Sequence, residues 1–300
     1  MSETTVNSLP KITIVTPSYN QAPFLEATIQ SVLAQNYPNL EYIIIDGGST
    51  DGSVEIIKRY ESQLYYWCSE PDAGQYDAIN KGFARSSGEI MTWLNSDDMQ
   101  CPWALKTVSS IMTELPEVDW LTTLNPGLWD WHGFCLGFRS VPGYDRAAFL
   151  EGRYLPASPK TPRGIGSIQQ ESTFWRRSLW EKIGGQISTE YKLASDFDLW
   201  AQFYRQAELY GIASPLAGFR SQNAQKSGHL DLYLSEAEQS LSEMRSKLAA
   251  PKNPFRNLSR IPVVRGWMKS QLSYSCKRVV RTNANSAQGQ WTIEAYQPIF

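Results

Sequence analysis

Over the first hundred positions, short apolar blocks alternate with stretches of helical period. Ile12 to Thr16 (ITIVT) is a continuous β-branched run, the composition of a strand buried on both faces. Phe24, Leu25, Ile29, Val32 and Leu33 follow at helical spacing, and Tyr37-Pro38-Asn39 closes that helix. Tyr42 to Ile45 predicts a second strand, stopped by Asp46-Gly47-Gly48-Ser49. Asp51 is placed to cap a helix whose apolar side holds Val54, Ile57 and Tyr60. Tyr65 to Cys68 predicts a third, shorter strand, followed by the turn Pro71-Asp72-Ala73-Gly74. Tyr76, Ile79 and Phe83 mark the buried side of a helix ending near Ser86-Ser87-Gly88. Ile90 to Leu94 is a fourth strand, which ends at Asn95-Ser96-Asp97-Asp98.

Regular strand–helix alternation predicts right-handed βαβ units. The fold class is therefore α/β: a Rossmann-like, doubly wound, mainly parallel sheet with helices on both faces. Each strand ends in a polar cluster: Tyr19/Asn20, Asp46/Ser49, Glu70/Asp72, then Asn95/Asp97/Asp98. In a parallel sheet these ends share one edge, where such folds bind ligands. Adjacent carboxylates at Asp97 and Asp98 repel. A hard divalent cation is one solution; a plain turn with a helix cap ahead of Pro102 is another.

Beyond Asp98 the pattern loosens. Ala104 to Leu115 reads as a helix and Trp120 to Leu124 as a strand. Residues 125–170 are rich in Gly, Pro and aromatics without clear period, the mark of a binding loop or lid. Within it, Trp129 and Trp131 are candidates to stack on a bound ligand; most other tryptophans are expected in the core. Ser172 to Trp175 predicts a strand, Ser178 to Ile183 a helix, and Ser195-Asp196-Phe197-Asp198 opens a helix reaching about Gln206. Leu209 to Phe219 has strand composition, and Ser235 to Leu248 is an acidic amphipathic helix.

Charge divides the chain. Residues 251–300 hold eight basic residues against Glu294 alone, although the 300-residue chain has a net charge of −2. A boundary near Pro251 follows. It gives a domain over 1–250, divided after the fourth strand into 1–98 and 99–250, and a basic extension over 251–300. There Val264, Trp267, Met268, Leu272, Cys276, Val279 and Val280 fall at helical spacing. Such a helix either lies on an anionic membrane, with contact through 260–281, or packs on the domain. The overall charge gives no basic field for nucleic acid. Four widely spaced cysteines and a polar Met1 to Leu9 predict a reduced, cytoplasmic protein, peripheral at most on the inner face of the plasma membrane.

The turn after the first strand, TPSYNQAPF, has neither GxGxxG nor GxxxxGK[ST]. Phosphate held through a metal is the remaining option, which favours the cation at Asp97.

The segments ITIVTPSYNQ (12–21), IIIDGGSTDGS (43–53), EPDAGQYDAINKGF (70–83), GEIMTWLNSDD (88–98), QQESTFWRRSLWEKIGG (169–185) and ASDFDLW (194–200) together resemble family 2 glycosyltransferases. They resemble in particular those that assemble bacterial surface polysaccharides. The resemblance implies a GT-A fold of the nucleotide-diphospho-sugar transferase kind, with a nucleotide-binding half at 1–98 and an acceptor-binding half at 99–250. It also implies a UDP-, GDP- or dTDP-sugar donor, Mg²⁺ or Mn²⁺ on the donor diphosphate, and transfer to a glycan or lipid-linked acceptor. Pro17, Tyr19, Asn20, Asp46 and Ser49 match positions around the base and ribose. Asp72 and Gly74 shape a turn that delivers Asp77, Asn80 and Lys81 toward the donor, with an i,i+4 Asp77–Lys81 pair as the alternative use. Asn95-Ser96-Asp97 occupies the place of a DxD motif with its first acid replaced, leaving Asp97 as the metal ligand and Asp98 auxiliary. Asp196 matches the base that takes the acceptor proton, in a single inverting displacement; a helix N-terminus would lower its pKa. Asp198 is second choice, Gln170 and Glu171 line the acceptor side, and Arg220 or Lys226 is a candidate diphosphate contact, with a solvated loop as the alternative reading. Gln222 stands where a His is expected.

Two rivals are a nucleotide-sugar-binding scaffold that has lost transfer, favoured by Asn95, and a sugar-nucleotide pyrophosphorylase, disfavoured by the missing Gly-rich first loop.

Overall fold

The run Leu40–Asp46 forms strand β2, and its alternate residues leave on opposite sides. Ile43 and Ile45 enter one hydrophobic cluster, Tyr42 and Ile44 the other. This period of two makes the central sheet a partition between two cores. The computed structural model describes residues 9–156, 165–222, 229–247, 274–283 and 289–298.

Strands β1 (Ile12–Ser18), β2, β3 (Tyr66–Ser69) and β4 (Ile90–Trp93) alternate with helices α1 (Ala22–Leu33), α2 (Ser53–Tyr60) and α3 (Gln75–Phe83), as the apolar pattern predicts. After them come β5 (Met99–Gln100), α4 (Ala104–Glu114), β6 (Trp120–Thr123), β7 (Gly127–Trp129), β8 (Cys135–Phe138), α5 (Arg146–Leu150), β9 (Phe174–Arg176) and α6 (Arg177–Lys182). The chain continues through α7 (Ser195–Tyr204), β10 (Leu209–Ile212), β11 (Ala217–Arg220), α8 (Leu230–Lys247), β12 (Cys276–Thr282) and β13 (Gln290–Tyr296).

Among the described residues, nine strands form the main sheet in the order β13-β12-β10-β6-β9-β4-β1-β2-β3. β1 runs parallel to β2 and β4, and β2 parallel to β3, so the polar ends of the first four strands do meet at one edge. β9 enters antiparallel between β4 and β6. A smaller sheet, β5-β11-β7-β8, sits past that edge.

Three expectations need correction. Leu209 to Phe219 is two strands in different sheets, because Ser214-Pro215 interrupts the run and Pro cannot donate to a ladder. The stretch 125–170 is not wholly irregular; it contains β7, β8 and α5. The tail differs most. Residues 276–282 form a strand parallel to β10, not a helix, and Cys276 and Val279 are buried in the sheet. Their 3–4 spacing imitates a helix, but β-branched Val279, Val280 and Thr282 suit a ladder, and β13 pairs antiparallel with the whole segment. That part of the basic extension therefore has no apolar side left for a membrane. Residues 260–273 lie outside the described residues. Among the described residues no helix is long and apolar enough to cross a membrane.

Trp93, Trp120, Trp175 and Trp200 are buried together, as large aromatics usually are. Trp200 stacks on Trp93 at 6.0 Å and on Trp120 at 5.6 Å between ring centroids. The stack pins α7 to β4 and β6, so the first turn of α7 is held at a fixed place beyond the sheet edge.

Candidate functional site

The loop 95–98 leaves β4 at the sheet edge and is held from four directions. The Thr28 hydroxyl, on α1, donates to the carbonyls of Ser96 (2.9 Å) and Asp98 (2.8 Å). Arg220, buried, donates from Nε to the carbonyl of Asp97 (2.6 Å) and from its backbone N–H to the Asp98 carboxylate (2.9 Å). The Asn95 amide donates to Asp98 (3.2 Å) and to Gln170 Oε1 (3.3 Å), while its Oδ1 accepts from Gln75 at 2.7 Å. Gln222 donates to the Asp97 carboxylate. Asp98 is thus a closing element of the loop, fully buried. Burial first, then the charges of Glu171 and Asp97, push its pKa well above the ordinary carboxylate value.

On the first two strands, Pro17 and Ser18 finish β1 in register with Ile45 and Asp46. Tyr19 stands 62% exposed at the lip, free of the core and open to a planar ring. Asn20 adopts φ +52°, a conformation Asn tolerates, with its N–H on the Ser49 hydroxyl and its Oδ1 accepting from Thr50. Asp46 is fully buried and accepts from the backbone of Gly48 and Ser49 and from the hydroxyls of Ser49 (2.6 Å) and Ser69 (2.7 Å). Its carboxylate builds the loop behind the lip and does not present itself to solvent.

Around α3 the sequence-based assignments divide. Asp72 accepts from the N–H of Gly74, whose φ of +116° suits glycine at the turn. Asp77 pairs with Lys81 at 3.3 Å, and Lys81 also approaches Glu70 at 3.6 Å, the i,i+4 alternative. Asn80 is used within the fold: its amide makes both bonds to the backbone of Ile187, at 2.8 and 2.9 Å.

Across the sheet edge lies a cavity of about 600 Å³, within the size range of ligand sites. Asn95 and Gln75 line one end, and Glu171, Asp196 and Tyr76 line its wall. Asp196 sits in the first turn of α7, but Ala194 is the N-cap residue. Burial outweighs the backbone N–H donors and raises the Asp196 pKa to about 6, against the lowering expected from a helix N-terminus alone. The residue keeps an edge toward the cavity although the packing around its carboxyl desolvates it. Glu171 is pushed to about 8, chiefly by burial and then by the charges of Asp97 and Asp196. Its buried Oε1 makes no hydrogen bond to a described residue.

Asp198 is placed elsewhere. It accepts from Ser240 and Gln202, both at 2.7 Å, beside a separate cavity of about 270 Å³ between α7 and α8. Two residues beyond Asp196 on a helix point to a different face, and Asp198 does not line the cavity that Asp196 lines. Trp129 is also corrected: it is buried, and a Cβ on Gly218 would lie 2.3 Å from its ring. Trp131 packs edge-on to Phe24 at 4.6 Å, away from the cavity. Lys226 lies outside the described residues.

Sequence reading missed Gln222 as a partner of Asp97 and Glu236 as a clamp. The Glu236 carboxylate, on α8, accepts from the N–H groups of Lys192, Leu193 and Ala194 at 2.8–3.0 Å, fixing the approach to α7. Only the solitary acid on the buried side of an amphipathic helix hinted at it.

Among the described residues no three His, Cys, Asp or Glu side chains converge as a ready-made metal cage. The donor set nevertheless fits a hard cation of the Mg²⁺ type, which takes one or two carboxylates and completes its shell with phosphates and water. Asp97 would supply the carboxylate. Asp97, Asp98 and Glu171 lie close together here, and burial first, then the charges of their acidic neighbours, raises the pKa of Asp98 and Glu171.

Residues 13–114 match the family model described as Glycosyl transferase family 2. The chain is 33% identical over 192 residues to the glycosyltransferase Rv1514c of Mycobacterium tuberculosis, which spans 64% of this chain and 68% of that protein. It is 38% identical over 95 residues to TuaG of Bacillus subtilis, a glycosyltransferase named for teichuronic acid biosynthesis; that match covers 31% of this chain and 38% of TuaG. In fold it is similar to Staphylococcus aureus TarS residues 1–349 in complex with UDP-GlcNAc, with a TM-score of 0.56 at 15% identity over 87% of this chain and 79% of that 1–349 chain. It is likewise similar to the mannosyltransferase PcManGT of Pyrobaculum calidifontis in complex with GDP-Man and Mn²⁺, with a TM-score of 0.52 at 17% identity over 88% and 85% of the two chains. These likenesses carry the GT-A glycosyltransferase architecture.

Proposed function

The chain belongs to glycosyltransferase family 2, and from that premise we propose that it transfers a sugar, with inversion, from a nucleoside-diphosphate-sugar donor to a hydroxyl of a glycan or lipid-linked acceptor in cell-surface polysaccharide synthesis. The observation that carries this reading is the single cavity joining Asn95, beside Asp97, to Asp196. A donor anchored at one end brings its anomeric carbon toward a carboxylate at the other. TuaG is named for polymer synthesis, and TarS and PcManGT were solved with sugar nucleotides.

Tyr19 and the Asn20–Ser49 loop hold the base and ribose end. Asp97 would hold the divalent cation, which when bound supplies positive charge against the departing diphosphate. Asp196 accepts the proton of the acceptor hydroxyl as that oxygen bonds to the anomeric carbon. The bond from the anomeric carbon to the diphosphate oxygen breaks, and the nucleoside diphosphate leaves with the electron pair. A carboxyl with a pKa near 6 is ionised at neutral pH and basic enough to take this proton. One base opposite one leaving group gives inversion.

The scaffold alternative rested on Asn95. In this structure Asn95 donates to Asp98 and Gln170 and accepts from Gln75, a set of bonds that a carboxylate could not make. The substitution is therefore built into the loop and favours a working enzyme. The test is a panel of UDP-, GDP- and dTDP-sugars incubated with Mg²⁺ or Mn²⁺. Release of nucleoside diphosphate from one donor is expected; tight binding of a donor with no turnover under any condition returns the scaffold.

A further inference from the structure

Glu171 is an acid buried with one oxygen left over. The residue is 3% exposed, and its Oε1 makes no hydrogen bond to a described residue. A buried polar atom without a partner is costly, and in a native fold it calls for a reason. Glu171 also lines the large cavity, where Asn95 stands at one end and Asp196 on the wall. Its carboxyl feels the charges of both Asp97 and Asp196, so it lies between the candidate cation ligand and the candidate base.

Its mount is rigid. Glu171 is the middle residue of the short 3-10 turn Gln170–Ser172. Gln170 donates from Nε2 to the carbonyl of Trp93 at 2.6 Å and accepts from Asn95. The Ser172 hydroxyl donates to Gln169 Oε1 at 2.8 Å, and the Gln169 amide donates to the carbonyl of Gly127 at 2.9 Å. The Thr173 hydroxyl closes the turn on the carbonyl of Gln169 at 2.7 Å. Its neighbours are thus committed to the fold, and Glu171 is the member of the turn with an oxygen to offer a ligand. The last torsion of a Glu side chain is soft, so that oxygen can turn toward the cavity at little cost.

Three ligand groups could satisfy it, and position separates them. A cation is disfavoured: among the described residues no three His, Cys, Asp or Glu side chains converge, and Asp97 does not line the cavity that Glu171 lines. An acceptor hydroxyl belongs beside Asp196, the base proposed to take its proton. Between the diphosphate end and that base lies the sugar being transferred, whose hydroxyls both donate and accept.

We propose that Glu171 binds a hydroxyl of the transferred sugar and so selects the donor. This deepens the transfer reading above and rests on it. A site that holds a hydroxyl with a buried polar group rejects the analogue lacking it, because the group is then left unpaired.

The experiment is calorimetric titration of the full-length protein with Mn²⁺ present. UDP, GDP and dTDP are compared with UDP-glucose, UDP-galactose, UDP-GlcNAc, GDP-mannose and dTDP-rhamnose, in wild type, Glu171→Met and Glu171→Gln. Met keeps the length of the side chain and loses its hydrogen bonds. In that variant, affinity for the sugar nucleotide that wild type binds is expected to fall roughly 10–100-fold, while affinity for the bare nucleoside diphosphate stays within about twofold. Gln, which keeps an accepting oxygen, is expected to recover most of the loss. In wild type, one monodeoxy analogue of that sugar nucleotide is expected to bind as weakly as the intact sugar binds the Met variant. Equal loss of nucleotide and sugar nucleotide, whether through cation, diphosphate or fold, overturns the proposal. Unchanged affinity for both leaves the oxygen to a water or to the acceptor and overturns it as well, as does full-strength binding of every monodeoxy analogue. These titrations read binding alone, so a wild type that binds a donor but never releases nucleoside diphosphate sinks the transfer reading and leaves the Glu171 assignment standing.

Discussion

The side-chain amide of Asn95 donates to the carboxylate of Asp98 at 3.2 Å, inside a loop whose next acid, Asp97, is the candidate metal ligand. Restoring a carboxyl at position 95 would remove the amide donor to Asp98 and set a second acid beside one that is fully buried. Asn95→Asp is therefore expected to lower stability by about 1–3 kcal/mol and to reduce turnover instead of improving it. Thermal unfolding with a donor-turnover assay checks this. A more active variant would mean that the site had lost a ligand.

Asp196→Asn is expected to slow transfer by roughly 10²–10⁴-fold while donor affinity stays within about twofold, since the amide keeps the shape and loses the proton acceptor. Equal loss of binding and turnover would remove Asp196 from the role of base.

The same residue sets a pH dependence. Its folded pKa, about 6, lies above the ordinary value of 3.8. Transfer in wild type should rise as pH climbs through about 6, as the base form is populated. Stability carries the opposite sign. The contribution from Asp196 is complete below the unfolded pKa and is lost as pH rises through the folded one, because the buried carboxyl must then ionise. Comparing wild type with Asp196→Asn across pH 4 to 8 by thermal unfolding isolates this term; a flat difference would contradict the raised value.

Arg220→Ala should strip the carbonyls of Asp97 and Trp131 of their donor and remove the guanidinium that lies 5.2 Å from the Phe24 ring. The expected cost is about 1–3 kcal/mol, with weakened metal-dependent donor binding because the backbone of Asp97 is no longer held. Asp97→Ala should abolish the metal dependence of donor binding while leaving the melting temperature closer to wild type. Calorimetric titration of UDP with and without Mn²⁺ separates the two.

Removing residues 251–300 is expected to destabilise the whole protein, because β10 would lose the strand that pairs with it and Val279 and Cys276 would leave the core. A truncated chain that melts like the full one would show that β12 contributes nothing to the sheet.

The first four strands were legible because β-branched runs such as Ile12 to Thr16 and Tyr42 to Ile45 leave no other period open. The tail was not, because Cys276, Val279 and Val280 fit a helix as well as a strand until the open edge of β10 is known. At the site, the converging strand ends and the Asp97 loop followed from the topology. Gln222, Glu236 and the true setting of Asn80 did not, since each acts through a partner at least 42 residues away. Asp98 and Asp196 share one lesson: their neighbours in sequence suggested turn and cap, and burial decided their chemistry.

The Trp93–Trp200–Trp120 stack has an optical consequence. Indoles this close, with interplanar angles of 9° and 23°, couple their excited states and should give the near-ultraviolet circular dichroism an exciton signature. Trp93 also lines the cavity. A ligand entering there would perturb one chromophore of the coupled set, so the protein carries its own label-free reporter of site occupancy.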